Sequence, residues 1–337
     1  MARQVVAFDI GTSQVKLAWV AGGKLKKAVA AELPDNMVSG GEIVSMDAMA
    51  DFIRQTAKET GIPRADAAVV LPERLVYTRS VSLPLMTDAQ LQYNLPFEFK
   101  DYLTQEKGQY YFDYSVQGVT PADGESSGEL QLFACATLKS TIEAYRAMFR
   151  RAGFKLAVAM PEECAYAALV TDYLARTRSG QEDYCLVDIG YTGMRLQILR
   201  DGNIMTRRAV ELGLFDLVRT IADQRGVDEH IAHAHMLSDY NDVLSDESSL
   251  EIYNRMAVEI MKAVNFYHYN NRGTTLQRIY LCGGGAAVPA LREAISRTLD
   301  FEVLPAGKLL PAGVEGDMQW LCAKAIGCGL QKQEGRA

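Results

Sequence analysis

The chain has 337 residues, 48% of them hydrophobic and 23% charged, so it can bury a substantial core, and its length suggests two domains. A formal net charge of -7 speaks against a nucleic-acid partner, because phosphate-backbone binders concentrate Lys and Arg on one face. No apolar run approaches the roughly 18 residues needed to cross a bilayer, and Met1-Ala2-Arg3-Gln4 leads straight into a strand pattern, which predicts a cytoplasmic chain with no direct membrane insertion.

The first element is a hairpin with a polar elbow. Residues 5–8 are an apolar strand ending in Asp9. Gly11, Thr12 and Ser13 follow, and an alternating strand then runs to a Gly22-Gly23 turn. Residues 47–60 place Met49, Phe52, Ile53 and Ala57 on one face and stop at Gly61, as a helix packed on the first sheet would. Residues from about 76 to 155 read as a separate unit. It has strands at 75–83, 110–116 and 129–136, a tip at 121–128 predicted to be disordered, and a helix opened by a Ser140/Glu143 capping box that ends at Gly153. Pro161 then begins a helix with an Ala-rich face.

Residues 187–204 repeat residues 8–25 without a gap: Asp188 matches Asp9, Ile189 matches Ile10, Gly190 matches Gly11, Arg195 matches Lys16, and Gly202 matches Gly23. Glu211-Leu212-Gly213-Leu214 follows. His230 and His233 share a helical face from which His235 turns away, so three nearby histidines do not make a metal site. An acidic stretch at 239–251 predicts a solvated loop, and Tyr253, Met256, Ile260, Val264 and Tyr267 then recur at the core spacing of a helix. Residues 278–299 read as strand, Gly283-Gly284-Gly285 loop and helix, with Pro289 in the first turn. The six cysteines form no C-x-x-C pair and read as small core residues in a reducing compartment.

The repeat carries the chemistry. Gly11 and Gly190 allow close approach of the backbone to a ligand, while the following N–H groups and the hydroxyls of Thr12, Ser13 and Thr192 aim donors at an anion such as phosphate. An aspartate beside a phosphate needs a cation between them, so Asp9 and Asp188 read together as outer-shell holders of a hydrated magnesium ion. Two plain hairpins with turn-capping aspartates would account for either copy alone, but less well for the matched pair. The glycine loop fits neither a P-loop nor a dinucleotide fingerprint and reads as the seat of a nucleoside.

These residues resemble the phosphate 1, phosphate 2 and adenosine motifs of the actin, sugar-kinase and DnaK-chaperone superfamily. In segment order the chain is most similar to the PilM family of type IV pilus assembly ATPases and next to the FtsA cell-division family. The PilM likeness runs along nearly the whole chain, including residues 76–84, 87–99 and 110–114. It implies an α/β, actin-like (ribonuclease H-like) ATPase fold with two lobes around a nucleotide cleft and a small inserted α+β subdomain. The lobes divide as 1–75 and 156–182, with 76–155 inserted, then 183–330, then a polar tail at 331–337.

The resemblance further implies ATP and Mg2+ as ligands. The nucleotide would be held by Gly11, Thr12, Ser13, Lys16, Gly190, Thr192, Gly193, Gly283, Gly284 and Gly285, and the metal by Asp9 and Asp188. Glu162 matches a position where relatives organise the metal or the attacking water, although with Glu163 it would also simply complement a helix dipole. Family position turns Glu259 and Lys262 toward the adenosine; a surface salt bridge is the other account. Leu214 departs from the paired glycines usual after phosphate 2. The implied partner is the N-terminal cytoplasmic tail of a PilN-like membrane protein, which would hold the chain at the inner membrane face, with self-association possible. The alternatives are an FtsA-like protein, against which the polar end of the chain counts, and a small-molecule kinase, for which no acid is placed as a base. A binding module without nucleotide sits poorly with two intact hairpins.

Overall fold

A computed structural model describes residues 4–122, 128–178, 182–312 and 316–331. The expected tip at 121–128 and tail at 331–337 therefore fall largely outside the described residues. The first sheet begins with β1 (Gln4–Ile10), β2 (Gln14–Ala21) and β3 (Lys24–Glu32), an antiparallel meander. A two-residue ribbon, β4 (Val38–Ser39) and β5 (Glu42–Ile43), leads into helix α1 (Met46–Thr60). The Ser45 hydroxyl caps the start of α1, and Gly61 closes it in the left-handed region. β6 (Asp66–Leu71) then joins β1 in parallel.

The insert follows as β7 (Tyr77–Pro84), α2 (Asp88–Glu98), β8 (Tyr110–Thr120) and β9 (Glu129–Leu138), a three-stranded sheet in the order β7-β9-β8. Its own core gathers Val81, Leu91, Leu95, Phe99, Leu130 and Leu132. Helix α2 was not foreseen, although Thr87 and Gln90 form the reciprocal capping box that announces it. Helix α3 (Lys139–Ala152) starts without a side-chain cap, at Leu138, so the Ser140/Glu143 box does not form. Its apolar stripe Tyr145, Met148 and Phe149 packs with Met49 and Ile53 of α1 under the first sheet, not with the insert. β10 (Lys155–Pro161) completes the first sheet, in the order β10-β6-β1-β2-β3.

Helix α4 (Glu162–Thr177) leads across to the second lobe, where the same pattern returns. β11 (Asp183–Ile189), β12 (Met194–Arg200) and β13 (Asn203–Val210) form the second meander. Helices α5 (Leu214–Arg225), α6 (Glu229–Ser238) and α7 (Glu247–Asn270) follow. β14 (Arg278–Cys282), α8 (Pro289–Thr298) and β15 (Glu302–Pro305) complete a sheet in the order β13-β12-β11-β14-β15. Read from the meander edge, both sheets share one strand order. Helix α7 starts inside the acidic stretch expected to be a loop, and all five of its expected core residues are buried. Short α9 (Met318–Leu321) and α10 (Ala323–Leu330) end the described chain.

Strand alternation sorts the layers. Val6 and Phe8 face α1 and α3, while Val5 and Ala7 face the other way. Cys185 and Val187 face the outer helices of the second lobe, while Tyr184 and Leu186 turn inward. The inner faces of both sheets meet one core built on α4 and α10, so this helix pair is the spine between the lobes. Helix α10 sits unusually close: a Cβ on Gly327 would lie 2.1 Å from the Ala165 carbonyl oxygen, so only glycine lets the two helices touch there. The cysteines are free, four of them buried, as read from the sequence.

Candidate functional site

The two elbows superpose in register and in hydrogen bonding. Asp9 pairs with Lys16 across β1 and β2, and Asp188 pairs with Arg195 across β11 and β12. In the first elbow the Gly11 N–H donates to the Gln14 carbonyl at 2.9 Å; in the second the Gly190 N–H donates to the Gly193 carbonyl at 2.9 Å. Both aspartates lie near the carboxyl ends of central strands and, by alternation, face the gap between the sheets, where ligands of open α/β sheets bind.

What meets them there is Lys324 of α10. Its ammonium lies 3.0 Å from Asp188 Oδ2, 3.1 Å from Glu162 Oε2 and 3.8 Å from Asp9 Oδ1. Lys16 Nζ stands 3.9 Å from the other Asp9 oxygen, and Arg195 Nε 3.4 Å from the other Glu162 oxygen. Arg195 also reaches Glu73 Oε2 at 3.2 Å. The Tyr166 hydroxyl donates to Asp188 Oδ2 at 2.8 Å.

Burial alone would lower the Lys324 pKa, but Asp188, Asp9 and Glu162 outweigh it and hold the ammonium charged well above its ordinary range. Burial alone would raise the Asp188 pKa, but Lys324, Lys16 and the Tyr166 hydroxyl keep it below the usual carboxylate value. Burial, then the Asp188 charge, pushes the Tyr166 phenol well up, so it stays a donor.

Three residues expected at the site, Asp9, Glu162 and Asp188, thus converge on a fourth that sequence reasoning missed, with the expected Lys16 beside Asp9. The signal was present: Lys324 is the one charge in the small, apolar run Cys322-Ala323-Lys324-Ala325-Ile326-Gly327-Cys328-Gly329. Tyr166 and Arg195 were also missed as site residues, although the repeat aligned Arg195 with Lys16. The carboxylates are suited to a hydrated divalent ion by type, yet the Lys324 ammonium fills the space they share. In this arrangement they fit such an ion only if Lys324 leaves. Among the described residues no group of three or more His, Cys, Asp or Glu side chains could hold a metal ion.

The glycine loop is built against the second elbow. Gly283 has φ +87°, its N–H donates to the Trp320 carbonyl at 2.8 Å, and a Cβ there would strike Asp188 Oδ1 at 2.2 Å. Gly285 presses in the same way on Ile189. Arg292 lies over the Trp320 ring and donates to the Ala286 carbonyl at 2.7 Å, bracing the loop from behind. Leu214, in place of a second glycine, is buried and points at Gly284, so its side chain serves the core. Gly213 donates to Asp216, and the next two N–H groups bond the Gly190 and Tyr191 carbonyls, which ties the second elbow to the start of α5.

Thr12 and Ser13 are half-buried in their elbow, and Thr192 is exposed in the other. Glu259 and Lys262 stand beside a depression of about 500 Å³ that Val210, Glu211, Leu212 and Arg255 also line. Lys262 and Arg208 both pair with the Glu259 carboxylate, at 2.6 and 2.8 Å. A Cβ on Gly193 would lie 2.7 Å from the Val210 carbonyl, so this depression opens where the second elbow ends. The histidines scatter: His230 faces Asp35, His233 meets the Tyr191 ring, and His235 stacks on Tyr240.

One further contact links the site to the insert. Glu163, buried beside Glu162, accepts from the Thr78 hydroxyl of β7 at 3.2 Å and pairs with Arg207 of β13, which also donates to the Thr78 carbonyl at 2.7 Å. The Ile204 N–H of β13 donates to Gln117 of β8 at 2.7 Å.

Among solved structures, a PilM-PilN type IV pilus biogenesis complex is 19% identical and covers 97% of both chains, with a TM-score of 0.80. The ethanolamine utilization protein EutJ from Carboxydothermus hydrogenoformans is 15% identical and covers 98% of this chain and 89% of its own, with a TM-score of 0.60. These likenesses give the fold, which is the actin-like one expected. No curated protein sequence matches the chain. The family model described as type IV pilus assembly protein PilM matches residues 7–308. The chain belongs to the PilM family of type IV pilus assembly proteins.

Proposed function

We propose that this chain is a nucleotide-binding scaffold of a type IV pilus, or of a related secretion or competence machine, and that it docks the N-terminal cytoplasmic tail of a PilN-like membrane protein. The observation that carries this reading is the family match along residues 7–308. Such a tail would hold the chain at the inner membrane face; no helix among the described residues is long and apolar enough to cross a membrane by itself. The elbows at Gly11 to Ser13 and Gly190 to Gly193 receive the phosphates of ATP. The nucleoside lies between the Gly283 to Gly285 loop and the side of the cleft near Glu259 and Lys262. Glu162 positions the attacking water, and hydrolysis is slow beside the enzyme median of about 10 per second.

The tail docks at the insert. Tyr93 is 71% exposed beside Phe97, and Tyr102, Val116 and Val119 of the same insert are also exposed, which is the apolar and aromatic character that anchors a peptide. The test is a synthetic N-terminal cytoplasmic peptide of a PilN-like protein. It should bind in calorimetry and slow amide exchange within residues 77–138. Protection confined to the second lobe would remove the insert as the dock, and absence of binding would remove the PilN-like tail as the partner.

A further inference from the structure

Lys324 stands where a cation shared by three carboxylates would stand. An ammonium carries three N–H donors, and three carboxylate oxygens surround this one, from β1, from the first turn of α4 and from β11. Around the centre, the carboxylates of Asp9, Glu162 and Asp188 are matched by Lys16, Arg195 and Lys324, so their charge is already balanced.

A phosphate approaching the elbows meets two aspartates and needs positive charge in between, and Lys324 stands there. Magnesium would need about six oxygens near 2.1 Å, several of them waters, in the volume the ammonium occupies. Nor can the lysine withdraw with its helix. Gly327 already touches the Ala165 carbonyl, Gly329 is pressed against Val20, and Ala323 and Ala325 are fully buried on either side.

We propose that Lys324 is a built-in counter-cation that takes the place of a divalent metal, so that this site binds a nucleoside triphosphate without magnesium. The inference rests on the nucleotide reading above and replaces the magnesium expected at Asp9 and Asp188. The same lysine joins a carboxylate of each lobe to the helix between them, so it also holds the cleft in register before nucleotide arrives.

Calorimetric titration of the full chain with ATP, in excess EDTA and again in excess magnesium chloride, tests this. The wild type should bind in both solutions with Kd values within about threefold, and Lys324→Ala should bind at least about tenfold more weakly in EDTA and recover when magnesium is added. A wild-type Kd that weakens about tenfold or more in EDTA overturns the inference alone, as does a Lys324→Ala protein that binds normally in EDTA. No binding in either solution overturns the nucleotide reading as well. The wild-type comparison decides the question even if Lys324→Ala does not fold.

Discussion

Asp183, the first residue of β11, has a fully buried side chain held by four bonds. Arg200 donates to it from Nε at 2.6 Å and Nη2 at 2.9 Å, the Thr274 hydroxyl at 2.7 Å and the Thr275 N–H at 3.0 Å. Burial alone would raise its pKa, but Arg200, Thr274 and Thr275 outweigh burial and hold it below the ordinary 3.8. A carboxylate depressed in the native state contributes stability above its unfolded pKa and loses it as pH falls through the lower native value. Asp183→Ala should therefore cost about 3 kcal/mol at neutral pH, because the guanidinium is left without its partner. Urea denaturation should show the gap to wild type narrowing only below about pH 4. A gap that stays constant down to pH 2 would mean that packing, not the ion pair, is what Asp183 supplies. Nothing in the sequence singled this residue out: Arg200 is its cross-strand neighbour in the β11–β12 hairpin, but Thr274 and Thr275 come from 91 and 92 positions away in the chain.

At the scale of elements, the first turn of α4 is the junction of the molecule. Glu162 faces the carboxylate centre, and the next residue, Glu163, faces Thr78 of the insert and Arg207 of the second lobe. The sequence placed this helix start correctly and offered Glu162 either a role at the site or, with Glu163, one in complementing the helix dipole. Only packing shows that they serve different neighbours. Arg207→Ala should leave Glu163 buried with the Thr78 hydroxyl but no counter-charge, at a cost of about 3 kcal/mol. It should also release β7, so that amides in residues 77–84 exchange faster by mass spectrometry while α1 is unaffected. Unchanged exchange in β7 would show that the insert is held by its own core alone. Helix α3 makes the complementary point. The period of Ile142, Tyr145 and Phe149 makes its apolar stripe legible, but a stripe says which face is buried and not what buries it, and here the answer is α1.

At the scale of the whole molecule, the nucleotide reading requires one ligand to touch both lobes, since each elbow belongs to a different sheet. ATP at about 100 times its Kd should then raise the unfolding free energy by about 2.7 kcal/mol. Amide exchange at residues 11–13 and 190–193 should slow together. Protection of one elbow without the other would show that the nucleotide does not span the cleft.

The sequence by itself determined the doubled architecture. A gapless repeat of Asp, Ile and Gly with a basic residue at the same offset encodes two identical hairpins, because strand register follows from alternation and turn chemistry, both local properties. The family likeness and the pairing of Asp9 with Asp188 were readable for the same reason. Tertiary structure decided what stands between the aspartates. Lys324 lies far along the chain from both, on a helix whose glycines and alanines let it sink between the sheets, and no periodicity or spacing links it to the hairpins it joins. Pairs made by the folding of distant segments are set by which surfaces meet, and that is information a one-dimensional pattern does not carry.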